Sequence, residues 1–208
     1  MRFGRSPGSV KLLPVSKTRP VADIEQLTRA GYCAFGESYL QEALGKQKEL
    51  AVLGLKWHFI GPIQSNKTPP IAQHFDWVHS VDREKIARRL SAQRPDSLPS
   101  LNVCLQVNIS GEATKSGIDL DRLPALAACV TGLPGLHLRG LMAIPARESD
   151  FERQRAAFRH LREAFDVLNT DGLALDTLSM GMSGDLEAAI AEGATLVRVG
   201  SDIFGRRN

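Results

Sequence analysis

Apolar positions in this chain fall into short unbroken runs, separated by longer stretches in which apolar residues recur at helical spacing. The runs predict strands from Val10 to Ser16, Tyr32 to Phe35, Trp57 to Gly61, Trp77 to Val81, Leu101 to Ile109, Leu136 to Ile144, Leu175 to Met180 and Leu196 to Val199. The stretches between them predict helices. Pro20 opens the first, from Val21 to Ala30, and Gly31 closes it. Others run from Tyr39 to Leu50, Lys67 to His74, Asp82 to Ala92, Asp121 to Val130, Asp150 to Leu168 and Asp185 to Ala191, with Asp82 and Ser149 as caps. In the longest, Phe151, Ala157, Phe158, Leu161, Phe165 and Leu168 mark one apolar face. Pro14 sits awkwardly in the first strand, because proline offers a ladder no donor.

Near-continuous apolar strands alternating with amphipathic helices predict a parallel sheet covered on both faces. Eight strands with seven intervening helices predict a closed α/β (β/α)8 TIM barrel, although the chain is short for that fold. A doubly wound open sheet is the rival, weakened by the lack of Gly-x-Gly-x-x-Gly after the first strand. No repeat or low-complexity linker marks a boundary, so residues 1–208 are expected to form one domain. The strands leave one side of the barrel without a helix, and the N-terminal helix that would cover it is expected to be missing.

Composition narrows the function classes. With 43% apolar and 24% charged residues the chain is an ordinary globular one. A net charge of +3 without a basic stripe interleaved with aromatics argues against nucleic acid. Arg88-Arg89 and Arg206-Arg207 read as solvated surface pairs. No apolar run reaches membrane-spanning length, and the N-terminus lacks the apolar core of a signal peptide. Cys33, Cys104 and Cys129 make no disulfide framework. Cys33 and Cys104, in apolar runs, are expected to be buried and inert. Together these point to a cytoplasmic protein. His58, His74, His79, His137 and His160 show no ligand spacing, so no metal is expected.

Function in such barrels collects at the carboxyl ends of the strands. After the seventh strand, Gly181-Met182-Ser183-Gly184 precedes a helix, and its amides can face an anion. Gly200-Ser201 follows the eighth. Together they make a plausible phosphate cup, though each is also an ordinary turn sequence. Lys17 lies just past the first strand, where a lysine is usually a solvated rim residue. Closure of the barrel would bring it beside the cup, the arrangement an aldehyde-bearing phosphate cofactor requires. Arg198, two residues before Gly200, points to the same side of the strand. A pyridoxal 5′-phosphate (PLP) site commonly holds an Asp or Arg beside the pyridine nitrogen.

These residues belong to longer segments: Val15-Ser16-Lys17-Thr18, Phe35-Gly36-Glu37, Trp57 through Lys67, Lys115-Ser116-Gly117, Gly140 through Pro145, Ser179 through Ile190, and Val197 through Gly205. In combination they resemble the pyridoxal phosphate homeostasis protein family, whose barrel is similar to that of alanine racemase. The resemblance implies Lys17 as the Schiff-base lysine, phosphate contacts from Ser183, Gly200 and Ser201, and Arg198 near the pyridine nitrogen. It also implies that His58, Ser65, Asn66 and Met142 line the mouth. Ser38 stands where the family usually has asparagine, and the family carries a longer N-terminal segment.

Alanine racemase adds an all-β domain that supplies a catalytic tyrosine, and this chain has only Tyr32 and Tyr39. The resemblance therefore implies a non-catalytic monomeric carrier of PLP, acting in PLP supply and amino-acid balance, with PLP-dependent apo-enzymes as partners. The alternatives are a fold-type III PLP enzyme such as a racemase or decarboxylase, and a Schiff-base aldolase acting on a sugar phosphate.

Overall fold

The computed structural model describes residues 3–112 and 116–205. Lys115 and the Arg206-Arg207 pair lie outside the described residues. The first half runs β1 (Lys11–Pro14), α1 (Val21–Arg29), β2 (Ala34–Glu37), α2 (Leu40–Glu49), β3 (Lys56–Phe59), α3 (Thr68–His74), β4 (Trp77–Val81) and α4 (Glu84–Gln93). The second runs β5 (Leu101–Gln106), α5 (Leu123–Thr131), β6 (Leu136–Met142), α6 (Phe151–Thr170), β7 (Thr177–Ser179), α7 (Leu186–Ala191), β8 (Leu196–Val199) and α8 (Ser201–Phe204).

From β2 to β8 every strand pairs in parallel with its sequence neighbour, and β1 pairs with β8. The two ends of the sheet meet through a single bridge, Val15 to Gly36, where Ser16 N–H donates to the Gly36 carbonyl at 3.0 Å. The barrel is therefore nearly closed, and the open-sheet rival is overturned. Pro14 explains the thin seam. Val15 N–H turns to β8, where it donates to the Val199 carbonyl at 2.8 Å, and Ser16 N–H turns to β2. By that alternation the Pro14 nitrogen falls on the β2 side, where it has no hydrogen to give. Gly140 on β6 lies so close to β7 that a Cβ would stand 1.8 Å from the Thr177 carbonyl oxygen, so only glycine fits there.

Several expected boundaries shift. The second strand begins at Ala34, not Tyr32, because Tyr32 N–H still caps α1 through the Leu27 carbonyl. It then runs on through Gly36 to Glu37, past the expected end at Phe35. Cys33 consequently precedes the strand and is exposed, contrary to expectation. Strand five ends at Gln106, and strand seven is only Thr177–Ser179. There the Asn169 amide takes both backbone groups of Leu175, leaving neither for a ladder. The α6 cap is Asp150, whose carboxylate accepts from Arg153 N–H at 2.9 Å, rather than Ser149. Asp82 does not cap α4; it pairs with Arg83. After β8 comes only the single turn α8, so no full-length eighth helix stands among the described residues.

Candidate functional site

Lys17 projects from the loop that leaves β1, and the loop is held on both sides of it. Ser16, fully buried, donates its hydroxyl to Glu37 Oε1 at 2.6 Å. Its carbonyl accepts from Lys46 Nζ at 2.7 Å. On the other side Thr18 has φ of 64°, a left-handed conformation that costs a β-branched residue energy. The Thr18 amide donates to Glu42 Oε1 at 2.6 Å, which stabilises that turn. Lys46 joins the two halves by donating to Glu37 Oε1 at 2.8 Å and to Glu42 Oε1. The network thus ties the chain around Lys17 to β2 and α2. Glu37 is wholly buried, its Oε2 has no partner, and burial pushes its carboxyl above the ordinary value of 4.5.

The turn after β8 stands beside this loop, and the turn after β7 packs on β8. Gly200 packs on β1: a Cβ there would lie 3.3 Å from the Val15 carbonyl oxygen, two residues before Lys17. Its own carbonyl accepts from Ile203 and Phe204, which turns the chain into α8 and leaves exposed Ser201 in the first turn. Gly181 has φ of 95° and packs against Val197 and Ala189, and its carbonyl accepts from Arg198 N–H at 2.9 Å. Ser183 is partly exposed. One expectation needs correction: the Met182 amide donates to Asp185 Oδ1 at 2.6 Å, so this loop offers a ligand fewer amides than its sequence suggests.

Arg198 is 3% exposed and points into the barrel. Its Nη1 donates to the carbonyl and hydroxyl of Ser179, the latter at 2.8 Å, and its Nη2 donates to the Ala143 carbonyl at 3.0 Å. Burial lowers its pKa to about 10, so it remains a cation at neutral pH. Met142, buried next to Ala143, pairs with Ser179 across β6 and β7. Lys17, Gly200, Ser201, Ser183, Met142 and Arg198 therefore all belong to the carboxyl-end half of the barrel around β1, β6, β7 and β8.

The other three expected residues differ. Ser65 lies past β3, and its carbonyl accepts from the Thr68 hydroxyl and from Arg89 Nε. Asn66 is exposed in a single helical turn, Ser65–Lys67, beyond β3. His58 is not at the mouth. It sits opposite Trp77, the first residue of β4, and lines a cavity of about 640 Å³ at the amino ends of the strands. Lys11, Arg139, Asp176 and Thr195 line the same cavity. Motif position in a linear segment does not fix depth in the barrel, and β3 places His58 in its lower half. The residues that sequence reasoning missed are Glu37, Glu42 and Lys46. Their signal was a charged residue inside an apolar strand, Glu37, with a lysine one helix later.

A barrel with a lysine at the end of its first strand and glycine-hydroxyl turns after the last two defines a class. Residues 4–208 match the family profile described as "Alanine racemase, N-terminal domain". The chain belongs to that family and, within it, to the pyridoxal phosphate homeostasis proteins. It is 65% identical over 205 residues to the "Pyridoxal phosphate homeostasis protein" of Pseudomonas aeruginosa, covering 99% of this chain and 88% of that one. It is 55% identical over 210 residues to that of Escherichia coli strain K12, covering 100% and 90%. Among solved structures, PipY of Synechococcus elongatus with PLP bound superposes with a TM-score of 0.88 at 40% identity, covering 98% of this chain and 96% of that chain. Alanine racemase of Corynebacterium glutamicum shares the fold, with a TM-score of 0.71 at 18% identity over 96% of this chain and 56% of that one.

Proposed function

We propose that the chain is a PLP-binding protein of cofactor homeostasis, holding PLP as a Schiff base on Lys17 rather than catalysing a reaction with it. The observation that carries this reading is the β1–β8 pairing, in which Gly200 packs against Val15, two residues before Lys17, with the buried cation of Arg198 on the same strand as Gly200. Bound PLP supplies an aldehyde for an amine and a ring that can delocalise negative charge. The chain's own residues suit it. Gly200 permits close approach of a phosphate to the backbone, and Ser183 and Ser201 offer hydroxyl donors. Arg198, kept charged, would donate to an unprotonated ring nitrogen and so weaken the ring as an electron sink. Homologues named as homeostasis proteins, and a PLP-bound relative, support the same reading.

A racemase needs a second acid–base group facing Lys17. Tyr32 lines the amino-end cavity, Tyr39 is 52% exposed ahead of α2, and the buried Cys104 thiol is pushed up to about 12. These placements favour a carrier. No helix among the described residues is long and apolar enough to cross a membrane. We place the protein in the cytoplasm as a single-domain monomer that hands PLP to apo-enzymes.

The test begins with added PLP. Wild type should acquire an absorbance band and, after borohydride, a covalent adduct that peptide mapping puts on Lys17. Lys17→Ala should show neither; an adduct of equal yield elsewhere defeats the assignment. Ser201→Leu should weaken retention by crowding the phosphate turn, and unchanged affinity would move the phosphate elsewhere.

A further inference from the structure

The barrel interior contains a polar chain that the cofactor reading uses only at its Arg198 end. His58 Nδ1 lies 2.9 Å from His79 Nε2, and His79 Nδ1 lies 2.7 Å from Ser179 Oγ. Ser179 Oγ in turn accepts from Arg198 Nη1 at 2.8 Å. The four residues come from β3, β4, β7 and β8, and none is more than 5% exposed. The chain therefore crosses the inside of the barrel, from the amino-end cavity that His58 lines to the guanidinium proposed to face PLP. Trp77 fixes the first ring by stacking on His58, with centroids 5.3 Å apart and planes 6° from parallel.

We propose that His79 is a positioning residue for Arg198, acting through Ser179, and that it couples Arg198 to His58 at the far end of the barrel. Donor and acceptor counts limit how the chain can be wired. A neutral imidazole donates from one nitrogen and accepts at the other. Burial depresses both histidines, His58 to about 3 and His79 well below its ordinary 6.5, so both rings are neutral at physiological pH. Only two arrangements then satisfy the chain.

In the first, the Ser179 hydroxyl donates to His79 Nδ1. His79 Nε2–H donates to His58 Nδ1, and His58 carries its proton on Nε2. In the second, His58 Nδ1–H donates to His79 Nε2, and His79 Nδ1–H donates to Ser179 Oγ. The serine oxygen then accepts from His79 and Arg198 together, and its own proton turns elsewhere. Each residue keeps its proton count, but the field around the Arg198 guanidinium differs. His58 Nδ1 is committed to His79, so Nε2 is the ring nitrogen left for the cavity. A donor or an acceptor meeting it there selects one arrangement or the other.

The effect on PLP rests on the function proposed above; the coupling itself does not. The test therefore starts with cofactor-free protein carrying 15N-labelled histidine. Wild type should give His58 ring-nitrogen shifts of a defined neutral tautomer. Ser179→Ala removes one oxygen atom and does not touch His58, yet it should move the His58 ring signals. Unmoved His58 signals overturn the coupling. With PLP added, His79→Leu should raise the dissociation constant about three- to tenfold, the worth of one buried hydrogen bond, and shift the absorbance maximum. His79→Gln, which can still donate to Ser179, should recover part of both. Wild-type affinity and absorbance in folded His79→Leu overturn the positioning role. If wild type takes up no PLP, the functional reading fails while the NMR result still decides the coupling.

Discussion

Glu37 and Lys46 form an ion pair at 2.8 Å with side chains 0% and 6% exposed, so water screens it little. Removing one partner of such a pair strands the other charge, at a typical cost of about 3–5 kcal/mol. Lys46→Met should therefore lower the unfolding free energy by that order, read from urea midpoints, and Glu37→Gln in the same chain should restore part of it. The sign of the pH dependence follows from the raised Glu37 carboxyl. A group whose folded pKa is raised contributes stability that is complete below its ordinary value, here 4.5, and is lost as pH climbs through the folded value. The stability of wild type relative to Glu37→Gln should thus be greatest in acid and shrink toward neutrality. A difference that grew with pH would contradict burial as the dominant influence on the Glu37 carboxyl. At this scale, sequence reasoning singled out Lys17, Arg198, Gly200, Ser201 and Ser183 from strand ends and turn chemistry. Glu37 was visible only as the end of a motif, because its partners lie 9 and 21 positions away and meet it only once α2 packs.

Among the elements, β1 leans on one neighbour. It is four residues long, is laddered to β8, and touches β2 by one bridge. Hydrogen exchange should reflect this: amides of β2 at the seam should exchange faster than those of β5, which is laddered on both sides. Equal protection in β2 and β5 would mean that the seam is tighter than its hydrogen bonds indicate. All eight strands were legible from apolar runs, since burial on both faces makes such strands uniform in sequence. Their ends were not. Strand seven was shortened by Asn169, a side chain on another element, and strand two was displaced by the last turn of α1. Local pattern carries no record of such long-range acceptors. Asp82 failed as a cap for a nearer reason: a neighbouring arginine took its carboxylate.

For the whole molecule, the interior histidines set a limit in acid. Both have folded pKa values below their ordinary 6.5, so the unfolded chain binds more protons than the folded one as pH falls. Their contribution is complete above pH 6.5 and is lost toward about 3 for His58. Each contributes a slope of at most about 1.4 kcal/mol per pH unit. Urea unfolding between pH 7 and pH 5 should show this loss in wild type, and His58→Phe/His79→Leu should flatten it. An unchanged slope would mean that the rings titrate freely in the folded state. The barrel architecture was readable from element count and alternation. The polar thread through its middle was not, because its members are scattered over four strands: His79 and Ser179 look inert alone, and Arg198 and His58 were read as parts of the mouth.

The knot of Ser16, Glu37, Glu42 and Lys46 means that the amine proposed to hold PLP inherits its address from a helix on the outside of the barrel. Changes that loosen the seating of α2 would bleach the proposed adduct without altering any residue proposed to touch PLP. Loss of yellow colour in a random library would therefore map partly to the periphery, and such hits would be misread as damage to the binding residues themselves.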